Sequence, residues 1–69
     1  MRVDLGSSVR YFRLDGVVFR VWPDRLDLGS EYLRSGRWVW TPITSGGVIH
    51  NPNARELSPE EADRYLEIP

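Results

Sequence analysis

The clearest pattern in the chain is a pair of alternating stretches around one turn. Val9-Arg10-Tyr11-Phe12-Arg13-Leu14 and Val17-Val18-Phe19-Arg20-Val21-Trp22 are rich in β-branched and aromatic residues, which suit the pleated, half-buried surface of a strand. Asp15-Gly16 lies between them and reads as a two-residue hairpin, because a type I′ turn needs positive φ at both central positions. That turn sets the register: Leu14 against Val17, Phe12 against Phe19 and Arg10 against Val21 on one face. On the other it sets Arg13 against Val18, Tyr11 against Arg20 and Val9 against Trp22. The first face reads as core. The second mixes aromatic and basic side chains and is amphipathic.

Downstream the pattern weakens. Pro23-Asp24 ends the second strand, since proline cannot donate to a ladder. Leu26 and Leu28 alternate with Arg25 and Asp27 and predict a short extended piece. The segment from Ser30 to Gly36 admits one capped helical turn, or a strand Glu31-Tyr32-Leu33-Arg34 turning at Ser35-Gly36 into Arg37-Trp38-Val39-Trp40-Thr41. The aromatic content and flanking turn residues favour the hairpin. It places Leu33 against Trp38, Tyr32 against Val39, and Arg34 against Arg37, a like-charge pair that predicts a loose loop. Pro42 is expected to close that strand. Gly46-Gly47, Asn51, Pro52 and Asn53 mark 44–53 as loop, with Val48-Ile49 as a short edge strand inside it.

Ser58-Pro59-Glu60-Glu61 is a capping box, with Ser58 as N-cap, Pro59 at the first helical position and Glu61 reaching back. Ala62, Tyr65 and Leu66 follow at helical spacing. A helix over about 59–67 is too short to persist alone in water, so its apolar stripe must dock on the sheet. The expected fold is α+β: an antiparallel β-meander of three to four strands, with one short C-terminal helix on the face of Phe12, Leu14, Val17, Phe19 and Val21.

With 69 residues the chain forms a single domain, 1–69, whose small core leaves it marginally stable. It contains no cysteine, so neither disulfides nor thiolate metal sites reinforce it, which fits a reducing compartment. Three Trp, three Tyr and two Phe make an aromatic core the natural substitute. The N-terminus has no apolar signal region, and the longest apolar runs, Val17-Val18-Phe19 and Trp38-Val39-Trp40, fall far short of a membrane span. A soluble, cytoplasmic protein is expected.

The net charge of −1 is unevenly spread: residues 1–40 carry +2 and residues 41–69 carry −3. All nine basic residues are Arg. The lack of lysine suits bidentate recognition of phosphate or carboxylate, and equally the codon bias of a GC-rich genome, which is the simpler account.

Candidate chemistry is sparse. His50 is the sole histidine and has no metal-ligand or nucleophile spacing around it. Ser45-Gly46-Gly47 lacks the spacing of a phosphate-binding loop and reads as a turn. Glu60, Glu61, Asp63 and Glu67 fall on the solvent side of the short helix, where nothing raises a carboxyl pKa. No catalytic residue, cofactor or metal site is expected.

The remaining feature is the second sheet face, Tyr11, Arg13, Arg20 and Trp22, joined by Arg37 and by Trp38 or Trp40. Trp, Tyr and Arg are the residues enriched at protein-binding hot spots. Arg interleaved with aromatics also suits single-stranded nucleic acid, and Arg stems covering rings describe an ordinary solvated face. The near-neutral charge favours a non-catalytic module that binds a protein partner or itself, ahead of nucleic acid. An accessory subunit completing another chain's active site is the third reading.

Overall fold

In the computed structural model, residues 9–66 are described; Val9 is the first, and Glu67 lies outside them. Five strands and two helices follow in the order β1 (Arg10–Leu14), β2 (Val17–Val21), β3 (Gly29–Arg34), β4 (Arg37–Thr44), α1 (Ser45–Ile49), β5 (Arg55–Leu57) and α2 (Pro59–Leu66). The strands form one antiparallel sheet in the order β4-β3-β2-β1-β5. The sheet-plus-helix class is as expected, but the sheet has five strands rather than three or four.

Both hairpins have the anticipated registers. Leu14 pairs with Val17, Phe12 with Phe19, Tyr11 with Arg20 and Arg10 with Val21. Leu33 pairs with Trp38, Tyr32 with Val39 and Arg34 with Arg37. Asp15 and Gly16 have φ of 53° and 78°, and Ser35 and Gly36 have 53° and 77°, as type I′ turns require. The Arg34–Arg37 pair therefore flanks a tight turn and not a loose loop. Both arginines are exposed, so water screens their repulsion.

Three further expectations between residues 25 and 57 are overturned. Leu26 and Leu28 lie in turns between β2 and β3, held by Arg25 N–H donating to the Trp22 carbonyl and Leu28 N–H to that of Arg25. Pro42 does not close β4, which runs to Thr44. A bulge accommodates it: Ser30 pairs with Thr41 and Gly29 with Thr44, leaving Pro42 and Ile43 extra on β4. Side chains take over the lost ladder there, as Ile43 N–H donates to Thr41 Oγ1 at 3.3 Å and Ser30 Oγ donates to the Ile43 carbonyl at 2.8 Å. Bulges and edge strands are where a sheet tolerates proline.

The expected loop over 44–53 contains a helix, so Val48-Ile49 is not an edge strand. Thr44 caps this helix, its Oγ1 accepting from Gly47 N–H at 3.0 Å. Gly46 fits there because its backbone meets Leu26: a Cβ at 46 would lie 3.2 Å from the Leu26 Cβ and carbonyl oxygen.

The helices occupy opposite faces. Val48 of α1 joins Phe12, Phe19 and Val21 in the core, with Leu14, Val17, Tyr32, Ile49 and Ala54 packed around them. The C-terminal helix was expected on that face. Instead α1 covers it, and α2 lies on the reverse, where Val18, Leu57 and Ala62 are buried and Tyr65 lines a hollow together with Val18 and Leu33. The reason is topological. After α1 fills the Phe12 face, β5 pairs outside β1 and delivers α2 to the side still open. The capping box itself forms: Glu61 N–H donates to Ser58 Oγ at 3.1 Å, and Ser58 N–H to Glu61 Oε1 at 3.0 Å.

Candidate functional site

Strand alternation and the registers assemble the second face. Tyr11 and Arg13 of β1, Val18 and Arg20 of β2, Glu31 and Leu33 of β3, Trp38 and Trp40 of β4, and Arg55 and Leu57 of β5 share it. Helix α2 covers the end near the two hairpin turns, where Tyr65 lines a hollow of about 190 Å³ with Val18, Leu33 and Gly36. The middle and the far end remain uncovered by either helix among the described residues.

The middle is internally satisfied. Arg20 lies directly across from Glu31; its Nε donates to Glu31 Oε1 at 2.8 Å, and a terminal nitrogen donates to the same oxygen. These side chains are 29% and 23% exposed, so the pair is partly desolvated and less screened by solvent than a surface ion pair. The Trp38 ring covers the guanidinium, with Arg20 Cζ 4.6 Å from the ring centroid. Tyr11 closes the cluster from the other side, 5.9 Å from Trp38 between centroids and tilted by 35°. Cation–π and aromatic contacts each add to burial here.

The far end is apolar and open. Trp22, Leu28, Gly29 and Trp40 line a hollow of about 210 Å³. Trp40 is 64% exposed, and its indole lies over Gly29, where an added Cβ would come within 2.8 Å of Nε1 and 2.5 Å of the Thr41 carbonyl oxygen. Trp22 is half-buried, and its Nε1 is a buried donor without a hydrogen-bond partner among the described residues. Its backbone N–H donates to Ser45 Oγ at 3.1 Å.

The five predicted binding residues are thus only partly brought together. Tyr11 and Arg20 meet under Trp38, and Trp22 sits at the open end with Trp40. Arg13 is exposed nearer α2, across from Arg55. Arg37 precedes Trp38 and so alternates to the opposite face, at the turn. Both Trp38 and Trp40 belong to the candidate face, which the sequence left undecided. Glu31 was missed as a member, because only the β2–β3 register brings it to Arg20.

His50 is exposed at the C-cap of α1, and among the described residues no group of three His, Cys, Asp or Glu side chains is placed to hold a metal ion. No described helix is long and apolar enough to cross a membrane. The chain matches no protein-family model, no curated protein and no solved structure.

Proposed function

We propose that this protein is a non-catalytic binding module that engages a protein partner, or a second copy of itself, through the aromatic face of its sheet. The observation that carries the reading is Trp40, 64% exposed beside the hollow it lines with Trp22, Leu28 and Gly29. A tryptophan held against a glycine on a rigid strand is preorganised for contact, and such anchors dominate binding energy at interfaces. Tyr11 and Arg20, packed against Trp38, with Glu31 bound to Arg20, form a floor beside it, while exposed Arg13 supplies a charge nearer α2.

The reading is tested by affinity capture of the tagged protein from its native lysate, with and without nuclease, comparing wild type with Trp40→Ala and with Arg13→Glu combined with Trp22→Ala. A defined protein retained after nuclease treatment and lost with Trp40→Ala is the expected result. Retention unchanged by all of these substitutions would refute the assignment of the face.

Single-stranded nucleic acid is the alternative ligand for the same aromatics. Against it, Arg20, the central cation, is already engaged by Glu31, and the net charge is −1. A nucleic-acid platform would show affinity falling steeply with salt; a flat salt response removes it.

A further inference from the structure

The two edges of the sheet are unequally protected. At one edge, β5 is only three residues long and carries Arg55 and Glu56, and short, charged edges resist pairing with other chains. At the other, β4 is the longest strand, with eight residues and Arg37 as its single charged side chain. Among the described residues it is paired on one side only, with β3.

The register shows which backbone groups that edge presents. In a hairpin with a two-residue turn, the pair flanking the turn exchanges hydrogen bonds and the pattern alternates from there. Arg37, Val39 and Thr41 therefore direct their backbone groups inward to Arg34, Tyr32 and Ser30. Trp38 and Trp40 direct theirs outward. Beyond Thr41 the edge is spoiled, because Pro42 has no N–H and Pro42-Ile43 form the bulge. The regular, pairable stretch is Arg37 to Thr41, and Val39 is its midpoint.

We propose that β4 pairs antiparallel with β4 of a second copy about a two-fold axis at Val39, joining the two sheets into one. This register sets Trp38 opposite Trp40 of the second copy and Trp40 opposite Trp38 of the second copy, so every outward N–H and C=O of both residues finds a partner. Centring the axis on Trp40 would set Trp38 against Pro42 of the second copy and lose a donor. Centring it on Trp38 would set Trp40 against the turn at Gly36 of the second copy. With the axis at Val39, Arg37 faces uncharged Thr41 and no like charges meet. Pro42 then falls beyond the paired stretch. Trp40, the most exposed large apolar residue among the described residues, gains a directly opposed aromatic neighbour, a favourable cross-strand pair. The inference rests on the binding-module reading, in that it names a second copy as occupant, but it uses the edge of β4 and not the hollow beside Trp22.

The absence of cysteine makes the register directly testable. Val39 would face Val39 of the second copy as a non-hydrogen-bonded pair, with Cα atoms about 4.5 Å apart, within disulfide range. On mild oxidation a Val39→Cys variant is expected to form a covalent dimer with its circular dichroism intact, much faster than Asp24→Cys, placed on an exposed turn. Sedimentation of the unmodified protein is expected to move from one to two chain masses as concentration rises, with a blue shift of tryptophan emission. Trp40→Glu should hold the protein at one chain mass over the same range.

A single chain mass at every concentration overturns the proposal, even if Val39→Cys fails to fold. Dimerisation without faster cross-linking of a folded Val39→Cys variant places the contact elsewhere and overturns it as well. A monomer that still captures a different protein through Trp40 would refute the pairing and leave the binding face standing. A cross-linking dimer whose partner capture ignores Trp22 and Arg13 would do the reverse.

Discussion

Ser45 joins three segments through one side chain. It is fully buried, its Oγ accepts from Trp22 N–H at 3.1 Å and donates to the Gly29 carbonyl at 3.3 Å, and its own N–H donates to the Leu28 carbonyl at 2.7 Å. Replacing it by alanine strands a backbone donor, so Ser45→Ala should destabilise the fold by about 1–3 kcal/mol, measured by urea denaturation. Arg20 is held in the same spirit on the other face. Glu31→Ala should cost about 1 kcal/mol, between the exposed and buried limits for an ion pair. It should also release the guanidinium from beneath Trp38, visible as a change in tryptophan emission.

Glu61 supplies a pH dependence. Its hydrogen bonds, first with the Ser58 backbone and then with the Ser58 hydroxyl, hold its carboxyl below the ordinary glutamate value. A depressed carboxyl stabilises the folded state above the unfolded pKa, and that contribution is lost as pH falls through the folded value. The end of the fold that includes α2 should therefore loosen in acid, below the usual carboxylate range of about 4.3. Amide exchange at Ser58 and Glu61 reports it; Glu61→Gln should remove this contribution, whereas Ser58→Ala, which keeps the backbone N–H and loses only the hydroxyl, should weaken it.

At the scale of elements, α1 shows how a short, weak helix becomes indispensable. Its first three residues are Ser45-Gly46-Gly47, and glycine disfavours helix formation by about 1 kcal/mol per residue. What holds it is burial of Val48, fully enclosed against Phe12, Phe19 and Val21, and the Thr44 cap. Val48→Ala should cost roughly 2 kcal/mol or more from the cavity it leaves, and Thr44→Ala about 1 kcal/mol from the lost cap, both read as shifts in thermal midpoint. Helix α2 differs: its box is legible from Ser58 and Glu61 alone, and only its choice of face depends on what α1 has already covered.

Across the whole molecule, each sheet face has its own helix, and neither helix reaches the Trp22–Trp40 end of the second face. Among the described residues that aromatic region is uncovered and the β4 edge is unpaired, and in a small domain further burial of either would add stability. Both the proposed face and the proposed β4 pairing draw on that same strand: its tryptophan side chains in one case, their backbone groups in the other. At concentrations too low for association, Trp40→Ala should leave the urea midpoint nearly unchanged, and at higher concentrations it should reduce association; Trp38→Ala, which uncovers Arg20 and Tyr11, should lower both the midpoint and association.

Local chemistry by itself determined the first hairpin and the capped C-terminal helix, and favoured the second hairpin over a helical turn without fixing its turn. Asp15-Gly16 specifies a type I′ turn, a two-residue turn dictates which residues face each other, and Ser58 and Glu61 satisfy one another within a single helical turn; at Ser35-Gly36 the structure supplied the tight turn in place of a loose loop. These interactions span few residues, so their partners are visible side by side in the chain. The tertiary structure alone decided the rest. It paired β5 with β1, converted Val48-Ile49 from an apparent edge strand to a core helix, absorbed Pro42 in a bulge, sent α2 to the second face and brought Glu31 to Arg20. In each case the partner lies far along the chain and the local signal is weak or misleading: glycines in α1, proline in β4, three residues in β5. In α1, enclosing Val48 against Phe12, Phe19 and Val21 offsets a glycine cost of similar size.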